Sequence, residues 1–422
     1  MNAAKIILCS AVIAVGLLLL SRPRAAASPL PQPVQQAAAS DSVPPLVVTP
    51  RMRRYARTGY ALYFAGTLYG WALLWGVLAS GLSARLRDRA EQAVKNPWAR
   101  LAVYYGLLTA GLALAQFPLA WYGGFWRERA YGLSAQSFGA WLGDWLKGEA
   151  VTWAISVPLI MLVLRLIQRS PRFWPLWLWG ASVPIVAFGI FLAPLVIDPL
   201  FNKFTPLPPG ALRVRIEQLA AQAGIPHAPI YVVDKSRQTR TTNAYVTGLG
   251  ASARIVIWDT TLQQLPSDEV VGIVGHEMGH YVLKHIPWGF AETLAGLLIL
   301  LPLTARVAGW TLAKRGARWD LRGMTDLAAL PVFLLTVSVL SFLADPITNG
   351  LSRRMEHQAD AYGLAATHNG PALARAFVYF ASHDLSDPNP PPLVKLWLFS
   401  HPPIGERINF VLGRKNAPPY GT

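Results

Sequence analysis

The chain has 422 residues, of which 53% are hydrophobic and 14% charged, a balance that excludes an ordinary soluble globular protein and points to a bilayer. Its formal charge of +16 does not indicate nucleic acid, because Lys and Arg are spread among loops between apolar runs, where anionic lipid headgroups are the nearer partner. A single cysteine, Cys9, excludes intrachain disulfides and thiolate metal sites, so metal ligands must be His, Asp or Glu.

At the amino end, residues 1–28 carry Lys5, an apolar stretch from Ile6 to Leu20 and small residues at 25–28, the pattern of a signal peptide or a short signal anchor. A Pro-, Ala-, Gln- and Ser-rich stretch follows and predicts a disordered linker over 29–58. Apolar runs at 59–82, 101–122, 150–168 and 173–198 are each about long enough to cross ~30 Å of hydrocarbon as helices. Two more, at 289–309 and 325–345, form a later pair of membrane helices.

Between these groups, residues 199–288 are polar and mixed in period, which predicts an α+β unit. "LRVRIEQLAAQAG" (212–224) has helical spacing with a glycine stop, and "PIYVVD" (229–234) reads as a strand. "NAYVTGLG" and "RIVIWD" flank a Gly-Ala-Ser turn as a hairpin does. After Pro266, Ser267 is the expected cap of a helix whose first turn carries Asp268 and Glu269.

That helix contains "HEMGH". One helical turn separates His276 from His280, so both imidazoles share a face, with Glu277 at its edge. This is the H-E-x-x-H spacing in which two histidines hold zinc and the glutamate acts as general base. Chance gives such a triplet about three times in a thousand chains of this composition. A catalytic zinc needs a third protein ligand and an open position. His285, five residues past His280, falls on a different part of an unbroken helix, and it reads as a surface or interfacial histidine rather than a ligand. Glu356 and Asp360 in "NGLSRRMEHQADAYG" (349–363) are one turn apart; they could converge on the metal or form a solvated, salt-bridged helix face, and local spacing leaves both open.

"HEMGH", "NGLSRRMEHQAD" and "FSHPPIGERI", in that order, resemble the M48 family of membrane zinc metallopeptidases, and within it the Ste24-like branch of the CAAX prenyl protease 1 type. "WRERAYGLSAQSFGAWLGDWLK" (126–147) and "DPLFNKFTPLPPGALRVRIEQLA" (198–220) match the same branch. The resemblance implies a helical integral membrane protein of about seven spans, with an α+β, gluzincin-like metallopeptidase domain split by two transmembrane helices into residues 199–288 and 346–422. It implies one Zn2+ per chain held by His276, His280 and Glu356, with Glu277 as base and Asp360 as proton donor or anchor. His401 would stabilise the oxyanion, and Asn243 would open an edge strand that pairs with an extended substrate. One departure is Thr241, where the family usually has a histidine two residues before the Asn.

The implied activity is hydrolysis of peptide bonds, either in CAAX-type carboxyl-terminal processing or in membrane-protein quality control. Its partners would be a peptide or protein substrate, prenylated or membrane-embedded, and anionic lipid, with no nucleic acid. A catalytically silent metal-binding scaffold would be expected to have lost the base, yet Glu277 is present. Lipid-binding or transport activity would be marked by intramembrane acids, and the acidic residues here lie mostly outside the runs. If residues 6–20 remain as a first span with the amino end outside, 24 of the 38 Lys and Arg fall on the cytoplasmic side. The expectation is an uncleaved anchor and a zinc site facing the cytoplasm of a bacterial inner membrane.

Overall fold

The computed structural model describes residues 42–191, 196–414 and 420, so the anchor or signal peptide over 1–28, and with it the first of the seven expected spans, lies outside the described residues. The expected linker does not extend to residue 58. Helix α1 (Pro50–Ala79) begins where the Thr49 side chain accepts from the backbone N–H of Met52 at 3.2 Å and Pro50 occupies a first-turn position that needs no donor. The arginine-rich "RMRRYAR" is therefore the start of a membrane helix, a Thr-Pro cap signal that composition alone conceals.

Helix α2 (Leu82–Ala93) turns aside, and α3 (Pro97–Trp121) runs on through a π-helical turn at Tyr122–Trp126 to Ala130. Helices α4 (Phe138–Arg169) and α5 (Trp174–Phe191) complete the first group. The chain then forms β1 (Phe204–Pro206), α6 (Ala211–Gln222), β2 (Ile230–Val233), β3 (Ala244–Thr247), β4 (Arg254–Trp258), α7 (Asp259–Gln264) and α8 (Ser267–Val282). The sheet order is β1-β2-β4-β3, with β2 parallel to β4 and the other two pairs antiparallel. The expected hairpin is present as β3–β4, Tyr245 opposite Val256, and it leaves β3 on an edge. Ile216 of α6, Ile255 and Ile257 of β4, and Val274 and Met278 of α8 close one apolar core that fixes α8 to the sheet. Ser267 is not the cap of α8: Pro266 occupies that position, with no side-chain cap.

Helix α9 (His285–Arg315) returns to the bundle, followed by α10 (Leu330–Thr367), α11 (Gly370–His383), α12 (Pro392–Leu398) and α13 (Ile404–Val411). The domain boundary expected at 345–346 falls inside α10, a single 38-residue helix that leaves the bundle and continues into the peptidase unit. Six helices among the described residues are long and apolar enough to span a membrane, one on each of the six apolar runs. Leu114 is 73% and Ile299 65% exposed on two of them, a costly arrangement in water and a favourable one in lipid. Tyr55 and Tyr60 of α1 line the same cleft as His276, so the start of α1 and both peptidase segments sit at one end of the bundle. At the other end, the fully buried Arg87 of α2 ties down the α9–α10 loop through Asp326 at 2.7 Å and Asp320 at 3.0 Å.

Candidate active site

Helices α8 and α10 cross at a contact built from small residues. A Cβ on Gly279 would lie 2.9 Å from the Ala359 Cα, and one on Gly363 would lie 2.8 Å from the backbone nitrogen of His276. Gly279 and Gly363 thus let the two backbones approach more closely than any larger residue would allow, and the side chains flanking this contact meet. His276, His280 and Glu356 come together as a group that could hold a metal. The two Nε2 atoms are 3.2 Å apart, and Glu356 Oε2 is 3.3 Å from the first and 3.7 Å from the second.

Four-coordinate zinc with bonds of about 2.0–2.2 Å requires ligand-to-ligand edges of about 3.3–3.6 Å. This triangle, with edges of 3.2, 3.3 and 3.7 Å, is close to that size. Its donor set fits as well: Glu356 Oε2 is buried with no hydrogen-bond partner among the described residues, although two imidazole nitrogens face it. A cation on the open side of the triangle would satisfy all three atoms. The solvated-face reading of Glu356 and Asp360 is overturned, since they are 4% and 0% exposed.

Asp360 lies behind the triangle. Its Oδ1 is 2.8 Å from His276 Nδ1, and Arg407 grips the same carboxylate with Nε at 2.9 Å and a terminal nitrogen at 2.6 Å. The Arg407 guanidinium is stacked 4.2 Å above the Phe377 ring. Arg407 sits in the quoted "FSHPPIGERI" motif, but nothing local to the sequence ties it to Asp360, 47 positions away. Without a metal, burial would lower the His276 pKa, yet the adjacent carboxylates of Asp360 and Glu356 outweigh that and raise it to about 10.

Glu277 points into the cleft with its Oε1 3.9 Å from His276 Nε2. Burial pushes its carboxyl pKa up, against the pull of His276 and His280. His401 also faces the cleft, but its Nε2 is engaged with Glu356 Oε1 at 3.2 Å and its Nδ1 with the Ser400 hydroxyl at 3.0 Å. Desolvation in the cleft lowers the His401 pKa against the opposing pull of Glu356.

The cleft has a volume of about 600 Å³ and is walled on one side by Asn243, at the mouth of edge strand β3. Thr261 fixes Asn243 by accepting from its N–H at 2.8 Å and donating to its carbonyl at 2.7 Å. Because Trp258 N–H donates to the Asn243 carbonyl, the alternation of the ladder turns the backbone groups of Ala244 and Val246 away from β4, toward the open edge. The loop before α4 braces the segment leading into this strand. The Leu133 carbonyl accepts from Arg240 N–H at 2.9 Å, and the Ser134 hydroxyl donates to the Gln238 carbonyl at 2.8 Å. Thr241 is held by the Thr239 hydroxyl, to which its own N–H donates at 3.1 Å.

His285 is not on the surface: it is 7% exposed and lies against His280. The surface reading assumed an unbroken helix. Instead α8 stops at Val282, and Lys284 takes a left-handed conformation with φ 58° that folds His285, the first residue of α9, back onto the last turn of α8.

Two family profiles divide the chain. One, described as CAAX prenyl protease N-terminal, five membrane helices, matches residues 44–203, and the other, peptidase family M48, matches residues 206–415. The sequence is 38% identical over 375 residues to the uncharacterized metalloprotease YhfN of Bacillus subtilis (strain 168), which covers 87% of this chain and 86% of that protein. It is 30% identical over 351 residues to CAAX prenyl protease 1 of Saccharomyces cerevisiae, covering 79% and 76% of the two chains. The fold matches the crystal structure of S. mikatae Ste24p with a TM-score of 0.75 at 24% identity, over 97% of this chain and 99% of that one.

Proposed function

We propose, from the premise that this chain belongs to peptidase family M48 in its CAAX prenyl protease 1 branch and is an integral-membrane metalloendopeptidase, that its metal is one zinc ion held by His276, His280 and Glu356. The observation that carries this assignment is the triangle of 3.2, 3.3 and 3.7 Å between those three donor atoms. Zinc bound there supplies Lewis acidity that polarises a scissile carbonyl and makes water acidic enough to lose a proton near neutral pH.

The chain's own groups do the rest. Glu277, whose burial raises its proton affinity, takes the proton from the attacking water and hands it to the leaving amine. Asp360 keeps the His276 Nδ1 proton in place, so that Nε2 presents its lone pair to the metal, and Arg407 keeps Asp360 ionised in its buried position. His401 is in reach of the same space; by releasing Glu356 Oε1 it can turn its Nε2–H to a developing oxyanion. An extended substrate adds to the open edge of β3 beside Asn243, with Ala244 and Val246 supplying backbone hydrogen bonds.

The proposed substrates are proteins processed near a CAAX-type carboxyl terminus, the activity named for the yeast relative. The proposed orientation puts the cleft in the cytoplasm of a bacterial inner membrane. Arg51, Arg53, Arg54 and Arg57 at the start of α1 lie at the cleft end of the bundle, as positive charge on the inner face requires, and anionic headgroups suit them. The test uses purified full-length protein in detergent, offered a prenylated CAAX peptide and an unmodified hydrophobic peptide, with and without chelator. Cleavage of the first should depend on zinc. Glu277→Gln should lower turnover by about 10²- to 10⁴-fold while zinc stays near one per chain. Wild-type turnover in that variant removes Glu277 from the mechanism, and preference for the unmodified peptide removes the CAAX assignment.

A further inference from the structure

We infer that His285 is a positioning residue for His280, the far end of a hydrogen-bond chain that starts at Gln358 and fixes which nitrogen His280 offers to the metal. This rests on the reading of His280 as a ligand. His280 points its Nε2 at the triangle, 3.2 Å from His276 Nε2. A neutral imidazole that offers the Nε2 lone pair carries its proton on Nδ1. His280 Nδ1 lies 3.0 Å from His285 Nδ1, and one proton serves that contact. It belongs to His280, so His285 Nδ1 accepts and the proton of His285 sits on Nε2. There, 3.1 Å away, is Gln358 Oε1, an atom that can only accept. Each partner in the chain therefore has one consistent role, and Gln358, presenting Oε1, supports the tautomers of both rings.

The two histidine ligands are then supported differently. His276 donates to the carboxylate of Asp360, whereas His280 donates to a neutral ring. The carboxylate needs Arg407 to balance it, and the neutral acceptor needs no counterion. Helix α10 supplies all three controls from alternate positions: Glu356 in the triangle, Gln358 through His285, and Asp360 through His276. The left-handed turn at Lys284, a conformation that non-glycine residues rarely adopt, is what brings His285 into the chain.

The experiment measures Zn2+ affinity of the full-length protein in detergent by competition with a chromogenic chelator, with thermal unfolding of the chelator-treated protein as the folding control. His285→Ala should weaken zinc about 10- to 100-fold, the usual effect of removing such a partner. His285→Asn puts a neutral carbonyl acceptor close to the lost Nδ1 and should recover most of that loss. Gln358→Leu should weaken zinc by a smaller factor. Wild-type affinity in His285→Ala overturns the inference, as does an Asn variant as weak as the Ala one, since that would mean packing rather than hydrogen bonding. His280→Ala separates the two readings: if it retains wild-type affinity, the ligand assignment itself fails.

Discussion

His276 stands between two carboxylates, 2.8 Å from Asp360 and 3.3 Å from Glu356, and in the metal-free protein a proton on its ring does part of the work that a cation does in the loaded one. Its pKa is raised from 6.5 to about 10, because burial, which lowers it, is outweighed by the bond to Asp360 and by the nearby Glu356 carboxylate. A raised folded-state pKa means that the proton's contribution to stability is complete below the unfolded value and lost as pH rises through the folded one. Chelator-treated protein should therefore melt at progressively lower temperature as pH is raised from about 6.5 to about 10. Zinc displaces that proton, so its affinity should rise over the same window, with protons released on binding. A melting temperature insensitive to pH across this window would show that His276 is not charged between its two acids.

At the scale of elements, the site depends on how closely α8 and α10 approach. Gly363→Ala would place a methyl carbon 2.8 Å from the His276 nitrogen and 3.0 Å from its Cα, atoms of a helix backbone that cannot rotate away. The helices must part, with a destabilisation of about 1–3 kcal/mol, and zinc content should fall with it. Thermal unfolding and metal analysis of the purified variant check this. The same contact explains what the sequence made legible. H-E-x-x-H is local, so its geometry follows from one helix, and the E-x-x-x-D step from another. That the two helices meet depends on Gly279 lying against Ala359 and Gly363 against Gly275 and His276, and small residues in apolar sequence have many meanings. The strands of the hairpin were legible from alternation around a turn, but three-residue β1 offers too few positions to show a period. The surface reading of His285 assumed a continuous helix; Pro287, three residues past the left-handed Lys284 and in the first turn of α9, marks a break there but not the direction in which His285 then turns. Arg407 and Asp360 pair across 47 positions, a contact that no local pattern encodes.

For the whole molecule, orientation is the first quantity to measure. The start of α1 and both peptidase segments line one cleft, at the same end of the bundle. Gln222, exposed at the end of α6 and not among the residues that line the cleft, is a labelling position. With Cys9 replaced, a Gln222→Cys variant in intact cells should resist a membrane-impermeant thiol reagent and react once the cells are opened. Ready labelling in intact cells would place the cleft outside.

The continuity of α10, and the two-residue joint between α8 and α9, has a mechanical consequence. Glu356 rides on the extension of one membrane helix, and His280 is attached within five residues to the start of another. The height of each helix in the bilayer is set by the match between its apolar length and the hydrocarbon thickness. A bilayer too thin or too thick makes such helices tilt, and two helices that tilt differently shear the donor atoms they carry past one another. Pro346, which leaves one backbone carbonyl of α10 without its usual donor, is where part of that bending can be absorbed. The hydrolytic rate of protein reconstituted into phosphatidylcholine vesicles of increasing acyl-chain length should pass through a maximum. In a Pro346→Ala variant, with a stiffer α10, that maximum should be narrower. Lipid thickness would then act on this peptidase as an allosteric effector, transmitted by the helices themselves.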